Sequence, residues 1–287
     1  MSDYGKSSVG KRPRRKKKKW LGRTLLFLLF VSLGASIYGL GQALIGVTAS
    51  AATAGDETFT ITEVAMITSA AEEKEAPQLY NGVKRKVVYL TFDDGPNKYT
   101  PKLLEILNKN DIKATFFMLG NNMRLNPELV KQIYDEGHYP GIHSMNHEYS
   151  ELYKSGSSTN FINQFEEAAS IVEQYTGFNP TLIRAPYGSA PQIGENFRKD
   201  IADAGFKMWD WTLDTNDWRF TNGSIGIVNQ VKRNLSEDVE IILMHDRKQT
   251  VEALQKIIDY IRAQGYEFEV YDPSMHIVCN FYNDKRL

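Results

Sequence analysis

The chain has 287 residues, 34 Lys and Arg against 35 Asp and Glu, and a single cysteine, Cys279. This length provides for one large domain or two small ones, and a single cysteine excludes an intramolecular disulfide, so the fold must be held together by its core. The net charge of −1 conceals a division: residues 1–23 hold ten basic side chains and one acid, whereas the remaining 264 residues carry a net charge of −10.

Residues 24–47 contain no charged side chain. As a helix this stretch would be roughly 36 Å long at 1.5 Å per residue, which is enough to cross a bilayer. The basic run directly before it predicts a cytoplasmic tail over 1–23 and export of everything after residue 47. A nucleic-acid patch is the alternative for the basic run, and the adjacent apolar stretch argues against it. We therefore predict a single-pass protein of the cell membrane that has no nucleic-acid partner.

The apolar stretch leaves two processing outcomes open. Ala49-Ser50-Ala51 has the small-x-small form of a signal-peptidase site, but the stretch is longer than the core of about 7 to 15 residues typical of a cleaved signal. An uncleaved signal anchor is favoured. Residues 48–83, which are rich in Ala, Thr and Glu, predict a stalk between this anchor and an exported domain over 84–287.

From Lys84 onward, strand-like and helix-like stretches alternate. The predicted strands are 86–92, 113–119, 138–143, 181–186, 206–214, 240–245 and 266–272. The predicted helices are 100–110, 126–137, 161–175, 193–205, 224–235 and 251–265, with Asn126 as cap and Pro127 in the first turn of the second. This alternation is typical of parallel βαβ units. It predicts an α/β fold, a distorted (β/α) barrel of about seven strands, with a doubly wound open sheet as the alternative.

Polar residues collect where the predicted strands end. They are Asp93 and Asp94, His143 and His147, Arg184, Asp214 and Asp217, and His245 and Asp246. Active sites of such barrels lie at the carboxyl ends of the strands, so this coincidence favours a catalytic site over the simple turn that Asp-Gly-Pro would also make. His143 and His147 would share one face if their segment is helical. Two histidines and a carboxylate are a common ligand set for a hydrolytic metal ion, usually zinc.

Five motifs together resemble those of the polysaccharide deacetylases, the NodB-homology group that forms the fourth family of carbohydrate esterases. They are TFDDGP at 91–96, HSMNH at 143–147, RAPYG at 184–188, DTNDW at 214–218 and LMH at 243–245. The resemblance spans about residues 84–272 and looks most like the membrane-anchored peptidoglycan N-acetylglucosamine deacetylases. No catalytic position of the family is missing.

The resemblance implies a metal centre and a base. Asp94, His143 and His147 would bind one divalent ion, with zinc as the first candidate and cobalt or other ions as alternatives. Asp93 would be the general base that takes a proton from the attacking water. Arg184 would form an ion pair with Asp93 and fix its orientation.

The resemblance also implies an acid and a substrate pocket. His245 would be the general acid that protonates the departing amine, and Asp217 would pair with it and raise its pKa. The backbone N–H of Tyr187 would bind the oxyanion. Trp218 and Leu243 would enclose the methyl group of the acetyl.

The implied activity is removal of the acetyl group from N-acetylglucosamine of peptidoglycan, in an envelope of the Gram-positive type. Three alternatives stay open: a secondary wall polysaccharide or its linkage sugar as substrate, esterase action on O-acetyl groups, and a glycan-binding homologue without turnover. Among the remaining side chains, His138 and His276 are expected to be structural or at the surface. Trp209 and Trp211 are expected to belong to the barrel core.

Overall fold

The computed structural model describes residues 79–80, 83–220 and 223–287. The predicted basic tail, the predicted membrane segment over 24–47, the Ala49-Ser50-Ala51 site and nearly all of the predicted stalk lie outside these residues. No helix within the described ranges combines the length and the apolar character needed to cross a bilayer.

The described residues form ten strands, eight of which belong to one parallel sheet. In chain order the strands are β1 Leu79–Tyr80, β2 Val83–Lys84, β3 Val87–Gly95, β4 Thr115–Met118, β5 Tyr139–Ile142, β6 Leu182–Ile183, β7 Lys207–Met208, β8 Leu213–Asp214, β9 Val239–His245 and β10 Glu267–Glu269. β1 and β2 pair antiparallel with each other. The large sheet runs β7-β6-β5-β4-β3-β9-β8, and β10 pairs with the first half of β3. The predicted parallel arrangement is confirmed.

Eight α-helices connect these strands within the described part of the chain. They are α1 Thr100–Lys109, α2 Gly120–Leu125, α3 Pro127–Asp135, α4 Tyr149–Tyr153, α5 Thr159–Thr176, α6 Glu195–Asp203, α7 Ile225–Asn234 and α8 Lys248–Ala263. Two short 3₁₀ turns span Asp217–Arg219 and Pro273–Met275. The six predicted helices are present, while the short α2 and α4 were not predicted. Asn126 occupies the N-cap position of α3, but its side-chain amide donates to the carbonyl oxygens of Asn122 and Pro96 instead of capping the helix.

The segment over residues 207–214 forms both ends of the sheet. The sequence predicted one strand here, but the structure divides it into β7, which pairs with β6, and β8, which pairs with β9. Four residues separate the two strands, so the sheet has to curl back towards itself. The main chain of Cys279 pairs with Trp209 and accepts a hydrogen bond from the N–H of Asp210 at 2.6 Å. A curled parallel sheet of this kind agrees with the distorted barrel that was predicted.

Alternate side chains of β3 face opposite sides of the curled sheet. Val88, Leu90 and Phe92 belong to the large core that also contains the helix side chains. A second, smaller core takes residues from β3, β4, β5, β6, the 207–214 segment, β9 and the region after β10, namely Val87, Tyr89, Phe117, Tyr139, Leu182, Trp209, Ile241 and Tyr271. Because side chains alternate along a strand, Thr91 and Asp93 continue the side of Val87 and Tyr89. The second core therefore lies on the same side of β3 as Asp93.

Candidate active site

A cleft of about 490 Å³ is lined by residues at and just after the strand ends. Its lining residues are Asp93, Asp94, His143, His147, Ala185, Tyr187, Trp211, Asp214, Trp218, Leu243, His245 and Arg247. Eight of the ten site residues predicted from the sequence are among them. The other two, Arg184 and Asp217, are fully buried and contact Asp93 and His245 from behind the cleft wall.

A β-bulge brings the two adjacent carboxylates Asp93 and Asp94 to the same cleft. In a regular strand, neighbouring side chains point to opposite faces. Here Asp93 pairs with Phe117 but Gly95 pairs with Met118, so Asp94 is an extra residue without a partner in the ladder. Its φ is +70°, the left-handed conformation found in bulges. The backbone distortion thus explains how two consecutive acids line one cavity.

Three side chains form a candidate metal centre in this cleft. One ligand atom from each of Asp94, His143 and His147 lies within 4.8 Å of the other two. The Nδ1 of His143 is 2.8 Å from the carbonyl oxygen of Arg184, so Nδ1 carries the proton and Nε2 presents its lone pair. That Nε2 is 3.8 Å from Oδ1 of Asp94. A histidine oriented by a backbone carbonyl is the usual arrangement of a metal ligand.

The ionisation of these groups suits a cation. Burial lowers the pKa of His147 to about 4, so its imidazole is neutral near pH 7, as a metal ligand must be. Burial works to raise the pKa of Asp94, but the surrounding histidines and Arg247 outweigh it and hold that pKa below its ordinary value. The donor set therefore consists of the carboxylate of Asp94 and the imidazoles of His143 and His147.

The HSMNH segment is a loop, so the condition under which His143 and His147 would share a helix face is not met. Ser144 and His147 have φ values of +69° and +62°, which a helix excludes. The hydroxyl of Ser144 accepts a hydrogen bond from the N–H of His147 at 3.1 Å, and the hydroxyl of Tyr187 donates to the carbonyl of His147 at 3.1 Å. Local hydrogen bonds, rather than helical periodicity, bring the two rings to a centroid separation of 5.1 Å.

Arg184 fixes the position of Asp93 from inside the sheet. Its guanidinium donates to the carboxylate of Asp93 at 2.9 Å and to the hydroxyl of Thr91 at 2.6 Å. It also donates to the carbonyl oxygens of Trp209 and Asp210 at 3.1 and 2.7 Å. With four hydrogen-bond partners and no exposed surface, this side chain has one orientation, and it gives Asp93 a fixed counter-charge.

His245 and Asp217 form a tightly bound pair. The Nδ1 of His245 is 2.6 Å from Oδ1 of Asp217, while Oδ2 accepts from the backbone N–H of His245 at 2.7 Å and from the hydroxyl of Thr250 at 2.5 Å. Burial lowers the pKa of His245, but its hydrogen bond to Asp217 and the nearby negative charges outweigh burial and raise that pKa above its ordinary value. The hydrogen bond to Asp217 thus favours the protonated form of His245, and Nε2 lies on the side of the ring away from Asp217.

The remaining predicted residues border the cavity. Tyr187 has a φ of +69°, and its backbone N–H makes no hydrogen bond within the described ranges. A free N–H in a polar cleft can bind a negatively charged oxygen. Leu243 is 5% exposed and Trp218 is 42% exposed, so they provide one buried and one solvent-facing apolar wall.

Two side chains in the cleft were not predicted to be there. Trp211 was predicted to lie in the barrel core, and this is wrong: its ring lines the cleft and packs edge-on against Phe281 at 5.0 Å. Of these two tryptophans, Trp209 is fully buried and Trp211 is partly exposed. Arg247 lines the cleft with Nη2 at 3.3 Å from Oδ2 of Asp94. The sequence offered one indication that Arg247 lies in the cleft: it comes two residues after His245 and so follows the same strand end.

The histidines set aside from the sequence lie outside the cleft. His138 is buried and accepts a hydrogen bond from the N–H of Ala114 at 3.0 Å, and burial lowers its pKa to about 4. His276 contacts the hydroxyl of Tyr271 at 3.1 Å.

The single cysteine also takes no part in the cleft. Burial raises the pKa of Cys279 to about 12, which keeps its thiol protonated and unreactive.

Comparison with known proteins points to one family. The sequence profile of polysaccharide deacetylase matches residues 80–209. A peptidoglycan-N-acetylglucosamine deacetylase of Bacillus cereus is 43% identical over 220 residues, which are 75% of this chain and 80% of that relative.

Solved structures give the same result. The polysaccharide deacetylase Bc1974 from Bacillus cereus superposes with a TM-score of 0.68 at 43% identity, over 71% of this chain and 100% of that one. BA3943 from Bacillus anthracis, described as a pseudoenzyme of carbohydrate esterase family 4, has a TM-score of 0.57 at 31% identity, over 64% and 63% of the two chains.

Proposed function

Because this chain belongs to the polysaccharide deacetylase family, we propose that it is a metal-dependent hydrolase that releases acetate from N-acetylglucosamine of cell-wall peptidoglycan. The observation that carries the proposal is the composition of the cleft. The candidate metal ligands Asp94, His143 and His147 share it with the carboxylate of Asp93 and with the imidazole of His245, whose pKa is raised by Asp217. Amide hydrolysis needs both a base and an acid beside an activated water.

The donor set fits a divalent ion such as zinc or cobalt, because two imidazoles and a carboxylate would leave positions open for water and substrate. A bound ion supplies a Lewis acid that lowers the pKa of water to about 7 and polarises the acetyl carbonyl. The residues of the chain do the rest.

Asp93 is the proposed general base. Its carboxylate takes the proton of the attacking water, and the Arg184 guanidinium at 2.9 Å keeps the second oxygen directed into the cleft. The Nε2 of His143 is 3.7 Å from Oδ2 of Asp93, so the base lies directly beside the metal ligands. A base held by a buried cation needs no reorganisation when the proton arrives.

His245 is the proposed general acid. It gives its proton from Nε2 to the amine nitrogen as the C–N bond breaks, and Asp217 holds the ring and stabilises its positive form. The backbone N–H of Tyr187 donates a hydrogen bond to the oxyanion of the tetrahedral intermediate. Trp218 and Leu243 enclose the acetyl methyl and restrict the size of the acyl group that enters.

The test is acetate release by the full-length protein from purified peptidoglycan, followed by quantification of free glucosamine amines. We expect release by the wild type, loss after chelation, and loss in Asp93→Asn. The same assay on a secondary wall polysaccharide separates the two substrates. Unchanged amine content of peptidoglycan, with amines gained on the other polymer, would refute the first substrate.

We further propose the topology predicted from the sequence: a cytoplasmic tail over 1–23, a single membrane segment over 24–47, a stalk over 48–83 and an exported catalytic domain over 84–287. The uncharged stretch that follows the basic run supports it. Added protease should cleave this domain in protoplasts without lysis. Protection of the domain until lysis would refute the orientation.

A further inference from the structure

The C-terminal tail, defined here as residues 277–287, is fixed to the barrel beside the cleft. The indole N–H of Trp209 donates to the carbonyl of Ile277 at 2.7 Å, and the N–H of Asp210 donates to the carbonyl of Cys279 at 2.6 Å. The carboxylate of Asp210 in turn accepts from the N–H of Phe281 at 2.7 Å. These contacts place the tail across the gap between β7 and β8.

The same carboxylate ties the tail to the RAPYG loop of the candidate active site. Asp210 accepts from the N–H and the hydroxyl of Ser189 at 2.8 and 2.5 Å, and Ser189 is two residues after Tyr187. Farther along, Arg198 donates to Asp284 at 2.8 Å. The tail is therefore held on both sides of Phe281, and these hydrogen bonds define where the backbone of Phe281 lies.

Phe281 continues the aromatic wall of the cleft outward. Its ring meets Trp211 edge-on at 5.0 Å, and Trp211 lines the cleft. Between them lies Gly188, where an added Cβ would come within 2.9 Å of Phe281 and 3.1 Å of Trp211. Phe281 is nevertheless 45% exposed. A large apolar ring fixed at the surface and continuous with a cleft is a feature of binding sites.

We propose that Phe281, with Trp211, forms an outer subsite of the cleft, which binds a sugar of the glycan chain beyond the two that lie nearest the site of acetyl removal. This inference rests on the proposed function and extends it. The C–H faces of a pyranose ring are apolar and stack on aromatic rings, which offer a rigid apolar surface. The occupant is a glycan because the wall is uncharged and joins the cavity in which the acetylated sugar would lie.

The tail therefore selects for chain length. Substrates of one or two sugars reach the cleft without covering Phe281, whereas longer chains cover both rings. The contact is made equally in the bound substrate and the transition state, so it lowers KM and leaves kcat unchanged.

The experiment compares kcat and KM for acetate release from N-acetylglucosamine dimers and hexamers, using the full-length protein. Phe281→Ala should raise KM for the hexamer roughly five- to tenfold, as expected for half of an aromatic ring removed from contact, and leave the dimer unchanged. Phe281→Tyr keeps the ring and should behave as the wild type. Phe281→Leu keeps an apolar side chain without a flat face and should resemble the alanine variant.

Tyr282→Ala is the matched control. Tyr282 is 37% exposed and adjacent in the tail, but its ring lies under the guanidinium of Arg198 at 4.1 Å instead of facing Trp211. It should leave both substrates unaffected. An equal loss on dimer and hexamer in Phe281→Ala, or no loss on either, overturns the subsite.

Calorimetric titration with the hexamer keeps this test separate from turnover. Weaker hexamer binding by Phe281→Ala than by the wild type supports the subsite even if the wild type releases no acetate, an outcome that would count against the proposed function alone. Equal affinity of the two proteins for the hexamer refutes the subsite.

Discussion

Replacing Asp217 by Asn tests the assignment of His245 as an acid. The substitution retains the shape of the side chain and removes its charge. In the wild type, the pKa of His245 is raised by the hydrogen bond from Nδ1 to Asp217 and by its negative charge, against the opposing effect of burial. Because the protonated form is the active one, activity should persist up to this raised pKa and fall above it. In Asp217→Asn the fall should begin at lower pH.

The size of the effect follows from the contact. A hydrogen bond to a charged group contributes about 1.5 to 3 kcal/mol, and the bond between His245 and Asp217 is short at 2.6 Å. Since about 1.4 kcal/mol corresponds to a factor of ten in rate, we expect kcat to drop roughly 10- to 150-fold on the alkaline side. On the acid side of the profile the loss should be much smaller, because His245 is then protonated in both proteins.

The assay is the pH dependence of kcat for acetate release, with Asp214→Asn as the control. Asp214 also lines the cleft, but its carboxylate accepts from the N–H of Asn216 at 2.7 Å and makes no hydrogen bond to His245. Replacing Asp214 should therefore shift the alkaline side of the pH profile of kcat far less than replacing Asp217. If Asp217→Asn lowered kcat by the same factor at every pH, and activity still began to fall at the same alkaline pH as in the wild type, the reasoning would be refuted.

Further predictions concern stability, metal binding and reactivity. Arg184→Met leaves the buried Asp93 carboxylate without its cation, so the free energy of unfolding in urea should fall by about 3 to 5 kcal/mol; an unchanged midpoint would contradict this. Zinc at 100 times its Kd should stabilise the wild type by about 2.7 kcal/mol, seen as a higher Tm, and Asp94→Ala should lose this increase. Gly188→Ala places a Cβ at φ +81° against two aromatic rings and should cost about 1 to 2 kcal/mol of stability by denaturant unfolding. Burial raises the pKa of Cys279 to about 12, so iodoacetamide at pH 7 should leave activity and mass unchanged, and rapid alkylation would disprove its burial.

Much of the site could be predicted because parallel strands bring their carboxyl ends to one edge. Asp93, His143 and His245 each follow a strand that is apolar and β-branched or aromatic, which the sequence displays directly. The order of the strands was then enough to predict that they meet. The same alternation of strands and helices predicted the parallel sheet but left a barrel and a doubly wound open sheet as alternatives.

Backbone conformation at the site was harder to predict. Asp94, His147 and Tyr187 all have positive φ, which residues other than glycine adopt infrequently and which no periodicity signals. Helical spacing therefore does not explain how His143 and His147 come together. Such conformations persist where surrounding contacts enforce them, and those contacts come from distant parts of the chain.

The positions of Trp211 and Phe281 were also hard to predict, because contacts between distant parts of the chain determine them. Alternation within 206–214 suggested that Trp209 and Trp211 share a buried face, but the strand breaks after Met208. The break is stabilised by Cys279, about 70 residues later. A pairing over that separation leaves no local pattern in either segment.

The division of residues 207–214 into two short strands also bears on how molecules behave at high local concentration. β7 and β8 end the sheet with two residues each, and unpaired strand edges of that length give a neighbouring polypeptide almost no ladder to extend. At high concentration, copies of this domain would thus be protected against edge-to-edge pairing of their sheets by the same interruption that lets the C-terminal tail bind between β7 and β8.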